Sequence, residues 1–330
     1  MIGKRAFNVR IAALTVGTAI VASIVVHGQT RQKGPWWPNP TWGPDDQSGA
    51  SNWITPDKIV QSLRLVKTGK VYELGHVYER EMRGLSNQRT YNLFLVGPFL
   101  TGGENRFVYN DEFVSGALGQ IGTQFDGLGH AAMRMKMPDG TEQDIYYNGF
   151  TGAEISSTHG LRKLGIEHVK PIITRGVLVD VAGYKGVDTL PDGYEVTVAD
   201  VRGALQREGI AEASLTPGDA IFFRFGLARY WNDRSPTAGG RPGIGLTVAR
   251  WVVDRKVSMV GSDHAGLEVA AGNVLNPVHQ ELIMKNGIFN HENLTLDELA
   301  ADRAYEFLYI FTPLRLKGAT GSPGRPLAIR

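Results

Sequence analysis

The chain contains no cysteine among its 330 residues. Disulfide bonds, thiolate metal ligands and cysteine nucleophiles are therefore excluded, and so is a lipoprotein-type acylated cysteine. The free energy of folding must come from the core alone. A body of about 300 residues can bury most of its apolar surface, either as one large domain or as two smaller ones.

An excess of one charge is missing as well, because 35 Lys and Arg residues face 33 Asp and Glu residues. Three of the basic residues, Lys4, Arg5 and Arg10, precede an apolar run at residues 11–26. Without them the chain holds 32 basic and 33 acidic residues. We therefore expect no nucleic-acid surface, since that would need clustered Lys and Arg.

The basic and apolar start of the chain is typical of an export signal. The run at residues 11–26 is short for a membrane span, which needs about 20 apolar residues. Small residues at positions 26 and 28 suit a signal peptidase. We predict a signal peptide at residues 1–28 and an exported protein, periplasmic or secreted, that is free of the membrane after cleavage. An uncleaved N-terminal anchor is the alternative.

Residues 29–54 are rich in Pro and Trp. The prolines disfavour a regular helix and the tryptophans favour burial, so we predict an extended arm that lies over the body. Residues 55–330 show no linker, and predicted strands alternate with predicted helices. This alternation indicates a single domain of the α/β class.

Local signals place the main elements of that domain. Helices are predicted at residues 56–69 with Thr55 as N-cap, at 198–207 with Thr197 as N-cap, at 246–255, and up to residue 303 after a capping box of Thr295 and Glu298. Strands are predicted at residues 71–74, 176–181, 220–225, 257–261 and 305–311.

Residues 120–130 form the densest polar segment, with side chains at Gln120, Gln124, Asp126 and His130. Glycines at positions 122, 127 and 129 disfavour a helix and allow close backbone approach. Oxygen and imidazole donors converging from such a loop, with distant partners, suit a hard or borderline cation; the candidate partners are His279 and Glu292. A glycine-rich turn with capping Asp and Gln is the simpler interpretation from residue types alone, and spacing does not decide between the two.

The same segment resembles the signature of the cyclase family of metal-dependent hydrolases, which reads His-x-Gly-Thr-His-x-Asp-x-Pro-x-His. Four positions match and three depart from it: the matches are Gly122, Thr123, Asp126 and His130, the departures Gln120, Gln124 and Leu128. Similar segments at residues 42–52, 218–224, 242–245, 261–263 and 292–294 extend the resemblance over nearly the whole chain after residue 28. The resemblance implies a single-domain, cyclase-like swivelling β/β/α fold over residues 55–330, in which homodimers or homotetramers are common.

The two glutamines make the segment similar to the branch of this family that contains trans-dienelactone hydrolase. That similarity implies hydrolysis of a small cyclic ester, a lactone, by metal-activated water. The implied ligands are Asp126, His279 and Glu292, with zinc as the first expected metal and manganese as the second. Gln120 and Gln124 are expected to be weaker ligands, because an amide oxygen binds zinc less well than imidazole. His130 is the expected general acid and base.

Two other functions stay open at this point. One is an amidase of the formamidase kind, acting on a small amide or cyclic amide, and the other is a periplasmic binding protein without turnover. Each implies a small-molecule partner. Four residues are weaker candidates for substrate contact: His76, His264, Trp36 and Trp37. The histidines at positions 159, 168 and 291 are expected at the surface.

Overall fold

The computed structural model describes residues 33–82, 89–231, 240–270 and 274–330. The predicted signal peptide at residues 1–28 lies outside these ranges. No helix within them combines the length and the hydropathy that crossing a bilayer requires. Residues 33–54 run mostly as turns and bends and end in a 3-10 helix at Gly49–Trp53, so this part of the predicted arm is less extended than expected.

The strands are short, and most are shorter than six residues. In chain order they are β1 (Val71–Glu73), β2 (Tyr91–Leu100), β3 (Val108–Gly116), β4 (Gln124–Asp126), β5 (Met133–Lys136), β6 (Glu142–Ile145), β7 (Ile172–Asp180), β8 (Glu195–Val196), β9 (Ala220–Arg224), β10 (Gly243–Ile244), β11 (Met259–Ser262), β12 (Phe289–Glu292), β13 (Glu306–Phe311), β14 (Gly321–Pro323) and β15 (Leu327–Ile329).

Nine of these strands form one mixed sheet in the order β1-β15-β13-β7-β9-β11-β12-β4-β14. The centre, β7-β9-β11-β12, is parallel. The flanking strands pair antiparallel, including β4 against β12 and β14 against β4. Three two-stranded sheets accompany it, namely β8-β10, β5-β6 and β2-β3.

The helices are α1 (Pro56–Leu63), α2 (Gly152–Ile155), α3 (Val181–Lys185), α4 (Val198–Arg207), α5 (Leu246–Asp254), α6 (Pro277–His279) and α7 (Asp297–Ala301). A π-helix at Gln280–Lys285 continues α6. Strands alternate with helices as predicted, and the α/β single-domain class is confirmed. The predicted helix at 198–207 has the predicted bounds and its Thr197 cap.

Successive side chains of the central strands point to opposite faces of the sheet, and each face packs in its own hydrophobic core. In β7, Val177 and Val179 join a first core with α3, α4 and α5, whereas Leu178 joins a second core. In β9, Phe223 enters the first core and Phe222 the second. These strands are apolar on both faces because both faces are covered.

Helix α1 begins as predicted, with the Thr55 side chain accepting a hydrogen bond from the Lys58 backbone N–H, but it ends at Leu63 rather than near residue 69. Its apolar residues Val60 and Leu63 are half exposed, and it buries Lys58 instead. The Lys58 ammonium pairs with the fully buried carboxylate of Asp219. An ion pair, beside the apolar contact of Ile59 with the second core, therefore joins this helix to the body of the protein.

The predicted capping box before α7 is wrong. The N-cap residue is Leu296, and no side chain caps the helix. The hydroxyl of Thr295 instead donates to the backbone oxygen of Glu73, which ties the loop to β1. A hydroxyl that has a tertiary partner is not available to the first turn of its own helix.

The contribution of the Thr197 N-cap to the stability of α4 can be tested by substitution. Thr197→Ala removes the oxygen that accepts from the Asp200 backbone N–H at 3.2 Å, so we expect a loss of about 1 kcal/mol in unfolding free energy. Thr197→Ser keeps that acceptor and should lie close to the wild type. Urea denaturation of the three proteins measures the difference. Equal stability of the Ala and Ser variants would show that the cap does not stabilise this helix.

Candidate metal centre

The site is built on β4, the strand that carries the polar segment. Phe125, its middle residue, packs in the second core against Phe289 and Phe311, with ring centroids 5.0 Å away in both cases. Because successive side chains of a strand point to opposite faces, Gln124 and Asp126 point away from that core. Asp126 is fully buried and Gln124 nearly so.

Strand β12 supplies the matching polar residues. In the antiparallel register Asn290 lies opposite Asp126, and Glu292 lies opposite Gln124. Residues that face each other in such a pair lie on the same face of the sheet. The pairing therefore gathers two carboxylates and two amides on one buried face.

His291 lies between Asn290 and Glu292 and points to the other face. It is buried rather than exposed, which corrects the expectation from sequence. Its Nδ1 lies 2.6 Å from the Tyr309 hydroxyl, and its ring packs on Phe311. Burial lowers the pKa of His291 to about 3, so the ring is a neutral core residue.

His279 approaches the polar face from α6. Its Nε2 lies 3.2 Å from Glu292 Oε1 and 3.6 Å from Asp126 Oδ2. Its Nδ1 lies 2.7 Å from Glu268 Oε1, and its backbone N–H donates to Glu268 Oε2 at 3.0 Å. Glu268, in the loop after β11, therefore holds the ring so that Nε2 faces the two other carboxylates.

His130 completes the group at the end of the segment that follows β4. Its Nε2 lies 3.8 Å from Asp126 Oδ2. One donor atom from each of Asp126, His130 and His279 lies within 4.8 Å of the other two, a spacing that suits a shared metal ion. His130 is partly exposed, whereas Asp126 and His279 are buried. The structure thus places His130 within reach of both roles, ligand and proton carrier.

The electrostatics of the group are those of a cation site. Burial alone would lower the pKa of His279, but the adjacent carboxylates of Asp126, Glu268 and Glu292 raise it well above its usual value. Burial alone would raise the pKa of Asp126, but the charge of His130 and the adjacent His279 ring lower it. Three carboxylates thus converge on one imidazole, and their negative charge exceeds what that ring can neutralise.

Several buried polar atoms of this face have no hydrogen-bond partner within the described part of the chain. They include Asp126 Oδ2 and Glu292 Oε1, the two oxygens nearest His279 Nε2. Both amide atoms of the fully buried Asn290 are also without a partner. Buried polar groups without a partner are rare in proteins, and a bound ion commonly accounts for them.

The two glutamines have different surroundings. The Gln124 amide nitrogen lies 3.2 Å from Glu292 Oε2 and 3.4 Å from Asp126 Oδ1, so the amide bridges the two carboxylates. Gln120 ends a 3-10 helix at Leu118–Gln120, and its Nε2 lies 3.3 Å from Thr320 Oγ1. Gln124 thus belongs to the carboxylate face, whereas Gln120 contacts the loop before β14.

A cavity of about 440 Å³ opens onto this group. Gln124, His130, Glu268, His279 and Glu292 contribute to its wall, and Asp126 lies beneath it. Two arginines, Arg89 and Arg241, line the same cavity. Sequence reasoning did not single out these arginines or Asn290. Asn290 could have been found from its spacing of two from Glu292 in a strand.

The two weaker histidine candidates do not line this cavity. The His76 ring stacks on Trp231, with centroids 4.0 Å apart, and its backbone N–H donates to Thr123 Oγ1. Burial lowers the pKa of His76 to about 4. His264 has its Nδ1 2.6 Å from the oxygen of Ala265, a residue that does line the cavity. Both histidines stand beside the site rather than in its wall.

Trp36 and Trp37, the other candidates for substrate contact, line a different cavity of about 560 Å³. The two cavities share no lining residue among those described. Trp37 is buried and packs edge-on against Trp36, with ring centroids 4.8 Å apart. The tryptophans thus pack the N-terminal segment and lie outside the wall of the candidate metal centre.

Comparisons with known proteins show similarity in both sequence and fold. The family model described as "Putative cyclase" matches residues 40–269. A solved structure described as a novel cyclase is 33% identical, with a TM-score of 0.76, and the match covers 88% of this chain and 98% of that one. No curated protein matches the chain.

More distant solved structures share the fold. Isatin hydrolase A from Ralstonia solanacearum is 18% identical, with a TM-score of 0.56 and a match over 79% of this chain and 92% of that one. A predicted metal-dependent hydrolase from Bacillus stearothermophilus is 17% identical, with a TM-score of 0.50 and coverage of 79% and 98%. The family match spans well over half of the chain and includes the polar segment at residues 120–130. This protein therefore belongs to the cyclase family.

Proposed function

We propose that this protein is a metal-dependent hydrolase that opens a small cyclic ester. The observation that carries the proposal is the convergence of the Asp126, Glu268 and Glu292 carboxylates on the one imidazole of His279. Buried acids without matching bases are costly unless a cation neutralises them. Structural neighbours described as hydrolases add support from the fold.

The residues present fit a divalent cation. Asp126, His279 and Glu292 would hold it, since their inward-facing donor atoms include the two buried oxygens without hydrogen bonds in the described structure. Such a cation, when bound, supplies a polarised carbonyl and a more acidic water. We propose zinc first and manganese second, because a set of one nitrogen and several oxygens suits both.

His130 is the proposed proton carrier. It lies in the cavity wall and is more exposed than the other members of the group. Its Nε2 accepts a proton from the attacking water as the water oxygen bonds to the carbonyl carbon. The same nitrogen returns the proton to the ester oxygen of the ring as the C–O bond breaks, so the product is a single open-chain hydroxy acid. Asp126, 3.8 Å away, stabilises the imidazolium between these steps.

The cavity favours an ester whose product is anionic. Arg89 and Arg241 line it, and Arg241 is anchored by a 2.7 Å bond from Nη1 to the backbone oxygen of Ala265. Guanidinium groups bind carboxylates well, and lactone opening creates a carboxylate. The resemblance of the glutamine-containing segment to the lactone-opening branch supports the same choice. Together with the apolar leader, these features lead us to propose an exported enzyme that acts on a small molecule.

Metal dependence is the first test. We expect the purified protein to hold one to two divalent ions per chain, because the buried carboxylates need a counter-charge, and we expect a chelator to remove the ions together with hydrolysis of a lactone panel. Elemental analysis beside the hydrolysis rate measures this. Full activity in demonstrably metal-free protein would refute the proposal. Bound metal and bound lactone without turnover would instead indicate a binding protein.

A second test separates ligand from proton carrier. His279→Ala removes a buried donor and should lower metal content. His130→Ala should keep the metal but lose about 10²–10⁴-fold in turnover, the usual contribution of a positioned general acid or base. His159→Ala, which changes an exposed histidine, is the control. If His130→Ala empties the site as fully as His279→Ala does, His130 is a ligand.

Glu268 gives a third test, because it bonds both Nδ1 and the backbone N–H of His279. Residues that orient a metal-binding imidazole typically contribute about 10–100-fold in metal affinity. We expect Glu268→Ala to lose that much and Glu268→Gln, which keeps an acceptor oxygen, to lose less. Glu281→Ala is the control, since Glu281 pairs with Lys285. Competition with a chromophoric chelator gives the affinities, and unchanged affinity in Glu268→Ala would exclude the positioning role.

A further inference from the structure

The cavity of about 560 Å³ beside the N-terminal segment is separate from the candidate metal centre, and the two share no lining residue among those described. Four of the six tryptophans of the chain line it, namely Trp36, Trp37, Trp42 and Trp53. We call it the tryptophan cavity. The end of α5, the π-helix and the residues that follow each of them complete its wall. Its volume lies within the range of small-molecule sites, which are largely apolar with a few polar groups.

Hydrogen bonds hold the wall of the tryptophan cavity in place. The backbone N–H of Asn39 donates to Asn148 Oδ1 at 2.7 Å, and its side-chain Nδ2 donates to the Tyr147 hydroxyl at 3.0 Å. The Asn39 Oδ1 accepts from the backbone N–H of Trp42 at 3.0 Å. Trp42 in turn packs edge-on against Trp53, with ring centroids 5.1 Å apart. The cavity is therefore formed before any ligand enters, which lowers the entropic cost of binding.

The charge of the tryptophan cavity is positive. Three lysines line it, Lys33, Lys256 and Lys285, against the one carboxylate of Glu281. Glu281 Oε2 lies 2.8 Å from the Lys285 ammonium, so Lys33 and Lys256 are left without an acidic partner in the described part of the chain. The Lys256 ammonium lies 5.4 Å from the centroid of the Trp53 ring instead. An anion would supply the missing counter-charge.

Trp36 adds a hydrogen-bond donor. Its Nε1 is buried and has no acceptor among the described residues. Buried N–H groups without an acceptor are rare and cost free energy, so a ligand oxygen at this position would be favourable. The Lys285 ammonium lies 5.9 Å from the centroid of the same ring. One space is thus bordered by flat apolar rings, an unused donor and unpaired positive charge.

We propose that the tryptophan cavity binds a small aromatic carboxylate. The ligand ring packs against the indoles, and the carboxylate accepts from Trp36 Nε1 and neutralises the lysines. A neutral sugar also stacks on tryptophan, but it leaves both unpaired ammonium groups without a counter-charge. This site is distinct from the metal centre, and the proposal does not depend on the hydrolysis proposed for that centre.

Calorimetric titration of the purified protein tests the ligand class, with 2-naphthoate as the probe. We expect a dissociation constant of about 1 mM or tighter, the value that common ligand efficiencies give for a molecule of this size. The uncharged analogue 2-naphthylmethanol should bind at least about tenfold more weakly, since it lacks the charged acceptor. Absence of naphthoate binding, or equal binding of the alcohol, overturns the proposal. Binding of cellobiose in preference to naphthoate assigns the cavity to a sugar and also overturns it.

Substitutions place the bound probe. Trp36→Phe keeps an aromatic ring and removes the N–H, so we expect it to weaken naphthoate binding about tenfold. The double variant Lys33→Gln, Lys256→Gln removes the unpaired charges and should weaken binding about fivefold. Arg241→Gln, in the other cavity, should leave the affinity unchanged.

Circular dichroism confirms that each variant is folded, and Lys136→Gln, at an exposed lysine on β5, controls for the loss of surface charge. Wild-type affinity in Trp36→Phe or in the double lysine variant overturns the proposal. A loss of binding in Arg241→Gln places the probe at the metal centre and overturns it as well.

Discussion

The register between β4 and β12 is the constraint on which the candidate metal centre depends. A slip of one residue would turn Gln124 and Asp126 into the second core and Phe125 out of it. The rings of Phe289 and Phe311, each 5.0 Å from Phe125, hold the strand against such a slip. The apolar residue between the two polar ones therefore fixes the orientation of both, and core packing and site geometry are set by the same contact.

The charge balance of the centre differs from that of Asp219, another buried acid of the fold. Asp219 is fully buried, and two bases serve its single carboxylate, because Lys58 pairs with one oxygen and Arg175 lies 3.3 Å from the other. At the metal centre the His279 ring lies beside three carboxylates, and a second imidazole, that of His130, lies 3.8 Å from Asp126. The fold supplies two bases for the one carboxylate of Asp219, whereas at the centre the carboxylates outnumber the imidazoles, and a divalent cation would balance their charge.

The sequence predicted those helices and strands that are specified by their own residues rather than by contacts with distant parts of the chain. The parallel strands β7, β9 and β11 are apolar runs, and α4 is fixed by its own capping box. The strands that carry the site are short, and in β12 one apolar residue is followed by three polar ones, so position 291 could not be assigned to a face without knowing the pairing of β12 with β4. Thr295 was misassigned for a similar reason, because its partner, Glu73, is 222 positions away. Motif resemblance located the ligand candidates, but Arg89 and Arg241 are identified only by the tertiary structure, which brings them to the wall of the same cavity.

The ribbon of β2 and β3 lies in the same stretch of chain as β4, the strand that carries Gln124 and Asp126 of the metal centre. Arg89 lines the cavity two residues before β2 begins, and β3 ends four residues before Gln120. At the base of the ribbon Tyr91 packs in a small buried cluster with Ile121, the residue that follows Gln120. The ribbon is thus anchored at the segment that leads into β4. The ribbon therefore emerges from the same small cluster that holds the chain leading into β4 and Asp126.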